Sequence, residues 1–242
     1  MPVSGQRLLS VRPFVPLHSR ESMRYYPVFL DINERRCVVV GGGKVAERKV
    51  FSLIEAGASV TVISPKVTKG IAALAHINGF IHIDRGFKRG DLASSSLVIS
   101  ASSSKRVNAS VSAEAKELGV PVNVVDDPDS CSFIVPSVVD RDPLLIAIST
   151  SGFSPIVAKK LRETLEEAIG PEYSLFVQLV GAIRNKLLKD GVKSAKKVAL
   201  LSSVIDSPLP EWLATGSKKE ANACLRELLG PGFTMTKLGV RL

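Results

Sequence analysis

The sequence predicts an α/β fold: a doubly wound parallel sheet, then a β-hairpin, then a small helical C-terminal domain. Three observations carry this reading. From Arg36 to Asp126, short apolar runs alternate with helix-length segments, and that alternation builds a parallel sheet covered on both faces. After Asp126 two apolar runs meet around "DRDP" with no helix between them, so they should pair antiparallel. From Ser154 onward the apolar period is helical.

The elements follow in order. Residues 1–22 carry three Arg, several Ser and one acid, a composition resembling an organellar transit peptide. "MRYYPVFLDI" at Met23 nevertheless reads as a natural beginning, so residues 1–22 are expected to be a disordered leader outside the fold. "RCVVVGG" is a buried strand and "KVAERKVFSLIEAG" a helix closed by Gly57. "SVTVISP" is the second strand, stopped by Pro65, and a short helix covers 67–76. "FIHIDRGF" and "SLVISAS" are the third and fourth strands. "KRVNASVSAEAKELG" is the second long helix, and "PVNVVD" the fifth strand. Beyond them lie the hairpin "SFIVPSVVDRDPLLIAIST" and the helix "SPIVAKKLRETLEEAIG", with Val157, Leu161 and Leu165 on one apolar face. A long helix then starts at Pro171 and stops at Gly191, and two or three short helices complete the chain. The expected units are 23–130, a dinucleotide-binding domain; 131–166, a dimerisation hairpin and helix; and 167–242, a helical domain.

Composition narrows the function classes. No apolar run approaches the ~18 residues that span a bilayer, so no membrane partner is expected. Cys37, Cys131 and Cys224 are an odd, scattered set, which points to a reducing, cytoplasmic location and no disulfide framework. The net charge of +9 fits a polyanionic partner. Nucleic acid is not the expected one, because no basic block is interleaved with aromatics and these are only 5% of residues. His18, His76 and His82 do not cluster, and no Cys/His spacing implies a bound metal.

"GGGKVA" satisfies G-x-G-x-x-A through Gly41, Gly43 and Ala46, directly after a strand and opening a helix. In that context the match is a Rossmann-like dinucleotide fingerprint: backbone approaches the pyrophosphate, which rests on the helix N-terminus. The cofactor-binding set is therefore Gly41, Gly43, Lys44 and Val45, with Ser64, Pro65 and Lys66 at the end of the second strand. An acid is usual at that strand end. Here a serine faces the ribose, and Lys66 leaves NADP open beside the favoured NAD. Asp126 ends the fifth strand, where a carboxylate would face the cofactor crevice. Residue chemistry alone leaves two roles open for it, general base or cap of a polar turn.

"YYPVFLDI", "VVVGGGKVAERK", "VNVVDDPDSCSFIVPSVVDRDPLLIAIST" and the helix after them occur in order over residues 25–166. Together they closely resemble the precorrin-2 dehydrogenase and sirohydrochlorin ferrochelatase family, the first module of siroheme synthases. The resemblance implies NAD-dependent oxidation of precorrin-2 to sirohydrochlorin, with iron or cobalt insertion as a second activity in some relatives. It makes Asp126 the general base. It also implies a homodimer formed through the hairpin region, and a substrate with eight carboxylates. Candidate carboxylate contacts are Arg141, Lys159, Lys160 and Arg162, and the turn residues Ser149, Thr150, Ser151 and Ser154. Relatives commonly show a Thr or acids after the fourth strand, where this chain has "SASSSK". The competing reading is a nucleotide-sensing regulatory module without catalysis. Such sensors usually keep the acid that ends strand two.

Overall fold

The computed structural model describes residues 24–241; the leader expected over 1–22 lies outside them. Residues 25–31 form neither helix nor strand, and Tyr26, Val28, Phe29 and Leu30 are exposed. Arg24 reaches back to the carbonyl of Pro128 at 3.4 Å. The chain then enters a five-stranded sheet made of β1 (Arg36–Val40), β2 (Ser59–Ile63), β3 (Phe80–Ile83), β4 (Leu97–Ser100) and β5 (Val122–Val124), in the order β3-β2-β1-β4-β5. All pairs are parallel, and Val40, Ser100 and Val124 lie abreast at their carboxyl ends.

The sheet is doubly wound because its strands have two apolar faces. Cys37 and Val39 of β1 face α1 (Lys44–Glu55), together with Val60, Val62, Leu97 and Ile99. Val38 and Val40 face the other way, toward α3 (Lys105–Glu117), with Val98, Val122 and Val124. α1 buries Ala46, Val50 and Leu53, the i, i+4, i+7 stripe that a helix on a sheet requires. A one-turn helix α2 (Lys69–Ala72), begun by Thr68 and continued as a 3-10 turn, covers β2. Arg85 pins the loop before β4, its guanidinium meeting both oxygens of Asp91 at 2.7 Å.

After the sheet, β6 (Ser137–Arg141) and β7 (Leu144–Ile148) form a separate antiparallel hairpin around Asp142 and Pro143. α4 (Pro155–Ala168) packs on the hairpin and buries only Ala158. Helices α5 (Glu172–Lys189), α6 (Ser194–Ile205), α7 (Leu209–Ala214) and α8 (Lys218–Leu229) enclose their own core, centred on Leu179, Ile183, Leu209, Leu225 and Met235. No helix among the described residues is long and apolar enough to cross a membrane. Cys37, Cys131 and Cys224 are all free thiols; burial pushes the Cys37 thiol up to about 11.

Candidate active site

The strands all end at one edge, so the loops that follow β1, β2, β4 and β5 meet there. The three glycines after β1 have different reasons to lack a side chain. Gly41 has φ +120, and a Cβ on it would strike the Ala101 carbonyl. A Cβ on Gly42 would strike the Lys66 carbonyl. Gly43 is unlike both: its φ of −81 and ψ of −175 suit any residue, and a Cβ would meet nothing within 4 Å. The protein's own packing therefore needs Gly41 and Gly42 but not Gly43. Gly43 is also the N-cap of α1, with no side-chain cap. The N–H groups of Lys44, Val45 and Ala46 thus leave the helix end with no side chain to receive them. Open space, a positive helix end and free amides fit a diphosphate.

The loop after β2 is bonded to this turn. Thr68 donates its N–H to the Gly42 carbonyl at 3.0 Å, and the Ser64 hydroxyl donates to the Lys66 carbonyl at 2.7 Å. Ser64, expected to serve a ribose, is buried and has its proton committed inside the loop, so only a lone pair remains for a ligand. Pro65 and Lys66 are exposed. His82 on β3 lies 2.9 Å from the Ser64 carbonyl. No carboxylate follows β2 before Arg85 except Asp84 at the end of β3.

After β4 the run "SASSSK" is held by Asn108, which sequence reasoning did not single out. Its side chain accepts from the Ser100 hydroxyl at 2.8 Å and donates to the Ser102 carbonyl at 3.0 Å. The available signal was an Asn four residues past the Ser104 cap, inside a helix that Asn does not favour.

β5 ends at Val124, and Val125 continues its ladder by donating to the Ser100 carbonyl at 2.9 Å. Asp126 then turns into the left-handed region, with φ +61. Asp is one of the few side chains to tolerate that region, and such residues gather at functional sites. The two adjacent acids have separate employment. Asp127 accepts the Ser130 hydroxyl at 2.6 Å and closes the turn. Asp126 is exposed, and its carboxylate has no hydrogen-bond partner among the described residues. Two strand spacings separate the Gly41 turn from the Asp126 turn, about 10 Å, room for a flat ring between them.

The remaining candidates lie on the hairpin and α4. Arg141, expected to contact the substrate, has its guanidinium on backbone carbonyls: Nε donates to that of Ile169 at 2.9 Å, Nη2 to that of Glu166 at 3.2 Å and Nη1 to that of Asp140 at 2.8 Å. It caps the carboxyl end of α4, because unpaired carbonyls there need a donor. Lys159 pairs with Glu163 at 3.8 Å and Arg162 with Glu166 at 2.6 Å, so both lie in ion pairs along the helix; Lys160 has no such pair. The turn at 149–154 is self-bonded. Ser149 accepts from the Ser151 amide at 2.9 Å, Thr150 from Ser154 at 3.1 Å, and Ser154 from Val157 at 3.4 Å. Ser151 has φ +54. In all three bonds the hydroxyl is the acceptor, which leaves its proton available to an outside carboxylate.

Known proteins resemble the chain over most of its described length. A family model for NAD(P)-binding domains matches residues 28–137, and the model for the central region of sirohaem biosynthesis proteins matches 141–168. The siroheme synthase of Vesicomyosocius okutanii is 36% identical over 207 residues, 86% of this chain and 44% of that protein. That of Nitrosospira multiformis is 38% identical over 213 residues, 85% of this chain and 45% of that protein. The chain is related in sequence to part of the siroheme synthases. It spans somewhat less than half the length of the siroheme synthases it matches. Among solved structures, "SirC, precorrin-2 dehydrogenase" superposes with a TM-score of 0.68 at 24% identity, covering 84% of this chain and 98% of that one. That likeness shows a shared fold. The residues matched by the NAD(P)-binding model include the whole five-stranded sheet and its edge loops.

Proposed function

We propose that this chain oxidises precorrin-2 to sirohydrochlorin with NAD, using Asp126 as the general base. The observation that carries the reading is the division of labour in the acidic turn: Asp127 closes it, while Asp126, exposed just past the end of β5, has no hydrogen-bond partner among the described residues. When bound, the dinucleotide supplies a hydride acceptor. Gly43 leaves the diphosphate its space, and the amides of Lys44, Val45 and Ala46 bind it. Oxidation removes a hydride and a proton from the substrate; Asp126 would take the proton and release it to water. Ser149, Thr150 and Ser154 offer hydroxyl protons to the substrate's carboxylates. NAD is favoured over NADP because Ser64 has a lone pair to accept a ribose hydroxyl. Three free cysteines support a cytoplasmic setting.

The assembly in this reading is a homodimer. Phe153 is 94% exposed and Ile156 79%. Val138, Leu145, Val157 and Leu161 are also exposed on the hairpin and α4. A second copy would cover this apolar surface.

The test is turnover followed by absorbance. Asp126→Asn keeps size and shape but cannot take a proton, so dehydrogenation should fall by ~10²–10⁴-fold with dinucleotide affinity little changed. Asp127→Asn and Asp129→Asn should matter much less. Near-normal turnover in Asp126→Asn, or an equal loss in all three, removes the assignment. A wild-type chain that binds NAD but never oxidises precorrin-2 favours the sensing module. Adding Fe²⁺ or Co²⁺ to the same assay reads metal insertion, in which Asp126 would relay pyrrole protons.

A further inference from the structure

Glu47 sits in the first turn of α1 with its side chain only 15% exposed. One carboxylate oxygen accepts from Lys44 Nζ at 3.1 Å, and the other accepts the hydroxyl of Thr68, 21 residues away. The Gly70 backbone lies against this carboxylate, and a Cβ on Gly70 would collide with it. Thr68 in turn joins three pieces of structure. Its hydroxyl oxygen accepts the Ile71 amide at 3.2 Å and so starts α2, while its own amide donates to the Gly42 carbonyl at 3.0 Å. The loop of residues 64–68 is thereby tied to the glycine turn through its backbone and to α1 through a side chain.

The ion pair with Lys44 does not account for this arrangement. Lys44 is 82% exposed and three residues away on the same helix, a pairing worth little in water. The donor set is more telling: an ammonium reaches one oxygen of the group and a hydroxyl the other. A carboxylate accepts from both, whereas a glutamine would turn an NH₂ toward one of them. The loop held this way follows β2, where the adenosine ribose rests in sheets of this topology, and it carries the exposed Lys66.

We infer that Glu47 and Thr68 form a latch that positions the 64–68 loop against the glycine turn and so sets affinity for the adenosine half of the dinucleotide. Both are positioning residues, acting through the loop. The inference rests on the dinucleotide-site reading of the sheet edge.

The test uses the full chain, titrated by calorimetry with NAD and separately with ADP-ribose. Thr68→Val and Glu47→Gln should each weaken both ligands about tenfold, the scale of one lost hydrogen bond to a charged group. Thr68→Ser should restore wild-type affinity. Glu47→Gln leaves the Thr68 cap on α2 in place, so agreement between the first two variants separates the latch from simple loss of that cap. Unchanged ADP-ribose affinity in folded Thr68→Val and Glu47→Gln overturns the latch alone. So does failure of Thr68→Ser to recover. A wild-type chain that binds neither ligand overturns the dinucleotide reading as well.

Discussion

In the large sheet, β1 buries Cys37–Val40 and β4 buries Leu97–Ser100 at every position; in the hairpin β6–β7, Val139 alone is buried. The helices repeat the contrast. The 12-residue α1 buries Ala46, Val50 and Leu53, whereas the 14-residue α4 buries Ala158 and leaves Ile156, Val157 and Leu161 exposed. Both regions have apolar patterning, and the difference is what the chain supplies to cover it. The large sheet has helices on both faces; the hairpin has α4 on one. Apolar area left in water forgoes roughly 25 cal/mol per Å², which is the ground for proposing a second copy over the hairpin and α4.

Three measurements would break or sharpen that contrast. The largest effect is expected from Leu145→Asp combined with Ile156→Asp. Burying two carboxylates in a self-complementary interface should shift the chain to monomer, by ~100-fold or more in association constant. Sedimentation would show the monomer, while NAD affinity stays within about twofold if the two regions are independent. A dimer that survives places the second copy elsewhere.

The next three variants separate a glycine that packing needs from the one proposed to make room for a ligand. Gly41→Ala forces a Cβ onto the Ala101 carbonyl at φ +120 and should destabilise the fold by about 1–3 kcal/mol. Gly43→Ala should melt like wild type yet bind NAD about tenfold more weakly, and Gly43→Asp should not bind it, because its charge opposes the diphosphate. Unchanged NAD affinity in a folded Gly43→Asp would remove the site.

The smallest effect concerns acid. The Arg85 guanidinium, and less so the Lys88 amide, hold Asp91 below its ordinary value of 3.8. The Thr68 hydroxyl and Lys44 do the same for Glu47, whose ordinary value is 4.5. A depressed folded pKa gives stability that is present above the unfolded value and lost as pH falls through the folded one. Melting temperature should therefore decline below about pH 4. Asp91→Asn should lower it by about 2–4 °C at pH 7 and flatten that acid decline.

How much of this was legible beforehand differs from residue to residue. The strand–helix alternation and the glycine turn are local patterns of period and residue type, so the sequence alone determined the parallel sheet, the helix start at Lys44 and the edge on which Asp126 lies. The hairpin and the apolar stripe of α4 were equally plain. Roles that depend on partners far along the chain were not. Arg141 reads as a free cation until the fold brings the end of α4 within reach of its guanidinium. Asp126 and Asp127 are the same residue type side by side, and only the turn's path gives Ser130 to one and leaves the other unpaired. Glu47 reads as an exposed helix charge until α2 brings Thr68 to it. Backbone periodicity is written into adjacent residues, whereas a side chain's employment depends on which donors and acceptors the closed fold carries to it, and only the tertiary structure decided that.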